Sequence, residues 1–198
     1  MTRQTAPRLG AACGIVFPIA MFLAAGNGSS FAPWRAVAST WALVLAFPFL
    51  AYLVSLLRAA EGESGWLAST ALVSGVAGIL LKLTSHAPEL AIHHAGIEKG
   101  TQLYKALDNT AGGATIVSLY PLAVFCAAVA AIVLRERVLP RWLGLFAAVT
   151  AVALAVNGGF LFAGFVPALL LFLLWILVAS VVLLRRSPST QPRVALST

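Results

Sequence analysis

Residues that could carry chemistry are concentrated in one polar stretch, roughly residues 84–112, which contains all three histidines of the chain. Glu89 and His93 stand four positions apart there, a spacing that puts two side chains on the same face of a helix. Neutral imidazoles and a carboxylate suit zinc with an open coordination position, and such a carboxylate can act as a general base. The pattern therefore raises the hypothesis of a metal or acid–base site.

The side chains define separate roles within this hypothesis. Glu89 is the candidate general base, Lys82 an electrophilic or anion-holding group, and Asp108 a carboxylate that completes the site from the opposite side. The candidate metal ligands, for zinc or another transition metal, are His86, His93 and His94. The sequence favours the alternative in which no cofactor is bound and the histidines lie at the end of a surface helix. The reason is that their H-x2-E-x3-H order is not the H-E-x-x-H order of zinc proteases.

A short helix is expected to present these groups. Pro88 suits a helix start and Gly96 a helix end, and the acidic and basic residues between them lie where the helix dipole favours each charge. In an alternative arrangement, the preceding apolar run continues through a kink at Pro88. Lys82 and His86 would then belong to the same helix as the other candidates.

A second interpretation of the polar stretch is a lid over a binding site. Gly100 and Thr101 introduce a second short segment, in which Leu103, Tyr104 and Leu107 fall on one helical face. Such a segment is expected to lie along the outer membrane surface. These three residues would then cover a ligand cavity between helices that are kinked by proline, and the expected kinks are at Pro18, Pro48, Pro121 and Pro167.

Composition restricts the class of protein that carries this stretch. Hydrophobic residues make up 61% of the 198 residues and charged residues 10%, and the mean hydropathy is +0.96. Soluble domains have about 25% charged residues, so a water-soluble globule is excluded. The net charge of +7 comes from basic residues at the ends of apolar runs. These basic residues are typical of the charges that set the orientation of a protein in a membrane. We therefore expect no nucleic-acid partner.

The apolar runs predict an all-α, polytopic transmembrane bundle of six spans with a short-helix outer cap between spans 3 and 4. The predicted spans are about 9–26, 36–57, 64–82, 111–134, 142–157 and 160–184, and the cap is 85–110. The turn signal Asn157-Gly158-Gly159 divides the last long run in two. A single domain, 9–185, lies between a cytoplasmic tail at 1–8 and a disordered cytoplasmic tail at 186–198. A cleaved signal peptide ending near Ala24-Ala25-Gly26 is the alternative for the first run, and it would leave five spans.

Basic residues are distributed unequally between the two sides of this predicted topology, and the side with more of them is expected to be cytoplasmic. Both termini are therefore predicted to lie in the cytoplasm of a bacterium, with the protein in the inner (plasma) membrane. The larger group is Arg3, Arg8, Arg58, Arg135, Arg137, Arg141, Arg185, Arg186 and Arg193, and the smaller group is Arg35, Lys82, Lys99 and Lys105.

Three short segments carry a resemblance to other membrane proteins: Arg8–Ala12, Pro121–Phe125 and above all Leu139-Pro140-Arg141-Trp142-Leu143-Gly144. With them the chain resembles small six-span integral membrane proteins of unknown function from high-GC Gram-positive bacteria. The resemblance implies a topology and no activity. No site residue follows from it.

The sequence thus predicts a non-catalytic binding, accessory or carrier protein for a lipid-like small molecule. The alternative is an outer-face enzyme, dependent on a metal or on acid–base groups, that acts on an amphipathic substrate. Small residues at four-residue spacing on the fourth and fifth spans favour close helix packing. The expected partners are membrane lipids, a lipid-like ligand and a second copy of the chain.

Overall fold

The structure is a computed structural model that describes residues 5–25, 33–62, 64–159 and 166–185. All regular secondary structure in these ranges is helical. The helices are α1 (Thr5–Ala25), α2 (Pro33–Glu61), α3 (Trp66–Thr84), α4 (His86–His94), α5 (Gln102–Glu136), α6 (Arg141–Gly159) and α7 (Val166–Arg185).

Five helical stretches of the described chain are long and apolar enough to cross a membrane, which confirms the all-α, multi-span class. They are Val37–Glu61, Trp66–His94, Gln102–Glu136, Arg141–Gly159 and Pro167–Arg185. The sixth predicted span corresponds to the shorter apolar stretch Arg8–Ala24 in α1. Helix α1 already begins at Thr5, within the predicted tail. The predicted tail at 186–198 and the reversal after Gly159 lie outside the described residues.

The long helices form a closed ring in which each helix packs against its neighbours in the chain. The order is α1, α2, α3, α5, α6, α7, and α7 returns to pack against α1. Short connections make consecutive helices antiparallel, so α1, α3 and α6 end at the same end of the ring at which α5 and α7 begin. We call this the α3–α5 end, because the predicted site residues belong to it.

Aromatic side chains fill the middle of the ring. Trp175 of α7 is fully buried, and its ring lies edge-on to Phe125 of α5 with centroids 5.9 Å apart. Its Nε1 donates a hydrogen bond to the Leu143 carbonyl of α6 at 3.2 Å. The void beside these rings measures about 20 Å³, which is room for about one water molecule. The void is therefore far smaller than a ligand cavity.

Two glycines one turn apart bring α1 close to its neighbours. A Cβ built on Gly14 would overlap the Ser180 hydroxyl and the Phe49 ring, and one on Gly10 would lie 2.6 Å from the Tyr52 Cβ. This is the small-xxx-small pattern that lets helix backbones approach in membranes. The glycines at positions 10 and 14 carry this pattern in the sequence, although the contact was not predicted.

The predicted short helix of the cap needs correction at its start, whereas Gly96 lies just beyond its end. Helix α4 begins at His86, and only Ser85, which keeps helical angles, separates it from α3. The break falls here because Pro88 has no N–H to donate to the Thr84 carbonyl. Gly96 follows the helix with φ +60°, as a C-terminal glycine should. The alternative in which the third span continues through a proline kink therefore describes α3 and α4 better.

The predicted lid segment is not a separate surface helix. Leu103, Tyr104 and Leu107 belong to the first turns of α5, whose 35 residues form one helix about 52 Å long. Its N-terminus is capped by Thr101, whose Oγ1 accepts a hydrogen bond from the Tyr104 N–H at 3.1 Å. Nothing between this cap and Pro121 removes a backbone donor, so the helix continues past the predicted span start at 111.

Kinks were expected at four prolines, and three of these prolines lie inside a helix: Pro18, Pro48 and Pro121. The prediction for Pro167 was wrong. It is the second residue of α7, a position where proline costs no intrahelical hydrogen bond.

Helix α3 receives its N-terminal cap from the end of α2. Glu61 Oε1 accepts from the Leu67 N–H at 3.0 Å, and Oε2 accepts from the Ala68 N–H at 2.8 Å. The N-cap position itself is Gly65, which has no side chain to serve this purpose. The carboxylate thus pairs two otherwise unsatisfied donors and its charge complements the helix dipole.

We expect Glu61→Ala to lower the free energy of unfolding by about 1–2 kcal/mol, the usual cost of losing a helix cap. Denaturation of the purified protein in mild detergent, followed by circular dichroism, measures this loss. Glu98→Ala is the matched control, because Glu98 is exposed and lies between helices. Equal losses in the two variants would contradict a capping role for Glu61.

Candidate functional site

Two side-chain hydrogen bonds join four helices at the α3–α5 end of the ring. Lys82 Nζ, near the end of α3, donates to Thr115 Oγ1 of α5 at 2.8 Å. Thr40 Oγ1 of α2 and His86 Nδ1 of α4 are hydrogen-bonded at 3.2 Å, in a direction that depends on the imidazole tautomer. We call Thr40, Lys82, His86 and Thr115 the polar junction.

The polar junction is shielded from solvent. His86 is only 7% exposed, and Lys82, Thr40 and Thr115 are half-buried. An ammonium can donate three hydrogen bonds, and the Thr115 hydroxyl accepts one of them. Among the described residues, no carboxylate lies within ion-pair distance of Lys82. The junction thus holds a shielded positive charge that can still bind an oxygen ligand.

Two carboxylates lie farther out than the polar junction. Glu89 interacts electrostatically with both Lys82 and Asp108, and both carboxylates are exposed. Glu89 follows Lys82 by seven residues, and Asp108 precedes Thr115 by seven. At about 1.5 Å of rise per residue, Glu89 is attached about 10 Å beyond Lys82 and Asp108 about 10 Å beyond Thr115. We call Glu89 and Asp108 the acidic rim.

The structure therefore brings together all three predicted catalytic candidates and one of the three predicted metal ligands. His93 and His94 are exposed near the end of α4. His86 and His93 are attached about 10 Å apart along the helix, whereas zinc needs its ligand atoms within about 2.3 Å of the ion. In the described ranges no group of three or more His, Cys, Asp or Glu side chains could hold a metal. The histidine metal site remains a prediction that the geometry does not support.

The predicted lid residues border the acidic rim and do not cover the centre of the ring. Leu103 is 57% exposed, and Tyr104 and Leu107 are half-buried in the part of the chain where α5 packs against α4. None of the three lines the central void. Their position makes them neighbours of Asp108 rather than a cover over a cavity.

An apolar groove of about 420 Å³ lies between α1 and α7, in the half of each helix nearer the α3–α5 end. Every side chain that lines it is apolar, so it offers dispersion contacts and no hydrogen bonds. The lining residues are Pro18, Ile19, Phe22, Leu23, Leu170, Leu173, Leu174 and Leu177. The groove was not predicted, because the pairing of the first and last helices leaves no signal in either sequence alone.

Neither Thr115 nor Thr40 was predicted as a site residue. Each is a single hydroxyl in an apolar helix, where such side chains commonly bond to the backbone. The antiparallel pairing of α3 with α5 brings Lys82 to the level of Thr115. The signal that could have identified Thr115 is its depth in the fourth span, which matches the depth of Lys82 in the third.

Comparison of the chain with protein-family models, with curated proteins and with solved structures found no match. The fold therefore defines the class without help from relatives: a bundle of apolar helices with the architecture of a multi-pass membrane protein.

Proposed function

We propose that the chain binds a lipid-like small molecule without transforming it, as a binding, accessory or carrier protein. The observation that carries the proposal is the polar junction, a shielded ammonium with spare hydrogen-bonding capacity at one end of an apolar ring. Sheltering a charge from water costs free energy unless a partner compensates it. A ligand headgroup that binds Lys82 would supply that partner.

The apolar surroundings favour an amphipathic ligand over a water-soluble one. The ring presents exposed apolar side chains on its outside, among them Leu80 and Val117, which lie two residues from Lys82 and Thr115. A separate apolar groove lies between α1 and α7, on the other side of the ring. Hydrocarbon that fills an apolar groove gains contact without breaking any hydrogen bond. The filled centre of the ring supports binding at the side and end of the bundle rather than passage through its middle.

The proposed topology uses all six long helices. Helix α1 packs against α2 and α7 as a full member of the ring, so we count it as the sixth span. Arg58, Arg135 and Arg185 lie at the ring end opposite the polar junction. Basic residues accumulate on the cytoplasmic side of membrane proteins. We therefore propose a bacterial inner-membrane protein with both termini in the cytoplasm and the junction facing the outer leaflet.

A second candidate function is an outer-face enzyme that acts on an amphipathic substrate by acid–base chemistry. It is favoured by the electrostatic interaction of Glu89 with Lys82 and Asp108 at the same end of the ring. Glu89 would serve as the base and Lys82 would hold negative charge that develops on the substrate. The catalytic and the binding functions use the same site, so product formation distinguishes them.

Native mass spectrometry of the untagged protein, extracted with its lipids and released from detergent, tests the binding function. We expect an organic mass on the wild-type chain and about tenfold lower occupancy in Lys82→Met, because a charge-assisted contact is lost. Lys105→Met is the control, since Lys105 is an exposed lysine in the first turns of α5. A wild-type chain that carries no organic mass, or equal occupancy in both variants, would overturn the proposal.

The same preparation also tests the alternatives. A transition metal that is lost with chelator and absent from His93→Ala would revive the metal site. Conversion of an added lipid, abolished by Glu89→Gln, would replace the binding function with an enzymatic one. Removing any polyhistidine tag matters, because the tag would bind metal itself.

A further inference from the structure

Resting on the proposed function, we infer that the ligand has a zwitterionic headgroup, with its anionic group next to the apolar tail and its cationic group beyond. The inference comes from the order of charges along the site. The polar junction carries the cation Lys82, and the acidic rim carries the carboxylates Glu89 and Asp108. The rim is exposed, whereas the junction is shielded.

The polar junction suits a phosphate or carboxylate. The Lys82 ammonium provides the charge and is already oriented by Thr115. A hydrogen bond between an ammonium and an ionised oxygen is shorter and stronger than one between neutral groups. The buried His86 ring, fixed through Nδ1 by Thr40, leaves its second nitrogen available for a further contact. An anionic group therefore has complementary partners at this depth.

The acidic rim argues against a ligand that is only anionic. The rim places two carboxylates beyond Lys82, so a second negative charge at that level would be repelled by Glu89 and Asp108. A purely cationic headgroup would instead place its charge near Lys82. A headgroup with both charges is complementary to the polar junction and to the acidic rim at the same time.

The order of charges from the polar junction to the acidic rim matches the order of charges in a phospholipid headgroup. Glu89 is attached about 10 Å beyond Lys82, and Asp108 about 10 Å beyond Thr115. The Lys82 ammonium is held at the level of Thr115, so the positive charge lies on the inner side of both carboxylates. A phospholipid that bears a phosphate close to its tail and an amine farther out presents its charges in this order.

Lipid selectivity tests the inference. The full-length protein is placed in nanodiscs that contain equal parts of phosphatidylethanolamine, phosphatidylglycerol and diacylglycerol, and the bound lipid is identified by native mass spectrometry. We expect phosphatidylethanolamine to exceed phosphatidylglycerol by about tenfold. In the double variant Glu89→Gln/Asp108→Asn, the preference should fall by roughly threefold, as expected for exposed charge pairs. Glu98→Gln, an exposed carboxylate between α4 and α5, should keep the wild-type ratio.

The outcomes separate this inference from the proposed function. Equal binding of the three lipids, or a preference for phosphatidylglycerol, would overturn the zwitterionic headgroup and leave lipid binding intact. A chain without bound lipid would overturn both. Soluble phosphoethanolamine, added to the delipidated protein, tests the source of the headgroup. Weak binding of it supports a membrane lipid, whereas binding as tight as the lipid's would overturn the lipid source and retain the charge pattern.

Discussion

Gly14→Ala is expected to lower the free energy of unfolding by about 1–3 kcal/mol, because the new methyl group has no space. A Cβ at this position overlaps both the Phe49 ring of α2 and the Ser180 hydroxyl of α7. Neither neighbour can move easily, since Phe49 is 1% exposed and Ser180 is fully buried. Overpacking of this kind in a tight interior has a cost of the expected size. The measurement is denaturant unfolding in mild detergent.

Gly112→Ala is the matched control for this prediction. Gly112 lies inside α5, and a Cβ there would meet no atom within 4 Å. Alanine is favoured over glycine in a helix by about 1 kcal/mol, so this variant should be slightly more stable than the wild type. If both glycine variants shifted stability in the same direction, the close packing of α1 against α2 and α7 would be wrong.

The Gly14 prediction also has a consequence for ligand binding. Helix α1 provides one side of the apolar groove through Pro18, Ile19, Phe22 and Leu23. Moving α1 away from α7 would widen this groove and reduce contact with a bound acyl chain. Occupancy of this groove by an acyl chain should therefore fall in Gly14→Ala.

Sequence patterns predicted the class of the fold because a bilayer allows few solutions. A chain with only 10% charged residues must satisfy its backbone internally, and long apolar runs can do this only as helices. The positions of five spans followed from the charges and turn residues between the runs. The first run is shorter, and its role is defined by packing against α2 and α7, which no local pattern reports.

The same patterns failed where a local signal competes with helix continuation. Pro88 was expected to begin a helix, but its missing donor affects the carbonyl four residues earlier and so moves the break to Ser85. The fourth span was predicted to begin at residue 111, yet α5 begins at Gln102 and passes through Gly112 and Gly113. Glycine weakens a helix by about 1 kcal/mol without stopping it, so a strong N-cap at Thr101 decides where α5 begins.

The candidate site was partly predictable for a topological reason. Lys82, Glu89 and Asp108 surround one connection, and the antiparallel α3 and α5 that it joins bring them to one end of the ring. The partners Thr40 and Thr115 depend instead on the register between packed helices. That register is set by close contacts such as Gly78 against Leu122, which require the three-dimensional arrangement of both helices.

Trp175→Ala is expected to produce the largest loss of stability of the changes considered, about 3–5 kcal/mol. Trp175 is fully buried, packs edge-on to Phe125 and bonds to the Leu143 carbonyl, so it links α7 to both α5 and α6. Removing it would leave a cavity that the surrounding helices cannot close completely. Trp142→Ala is the control, because Trp142 is 51% exposed at the start of α6.

Trp175→Phe separates the contribution of packing from that of the hydrogen bond. A phenylalanine keeps an aromatic ring next to Phe125 but cannot donate to the Leu143 carbonyl. We expect a loss of about 1 kcal/mol for the missing bond, plus a smaller cavity term than in Trp175→Ala. Unfolding in detergent, followed by circular dichroism so that the signal does not depend on tryptophan, gives all three values. Equal losses for Trp175→Ala and Trp142→Ala would mean that Trp175 does not fill the centre of the ring.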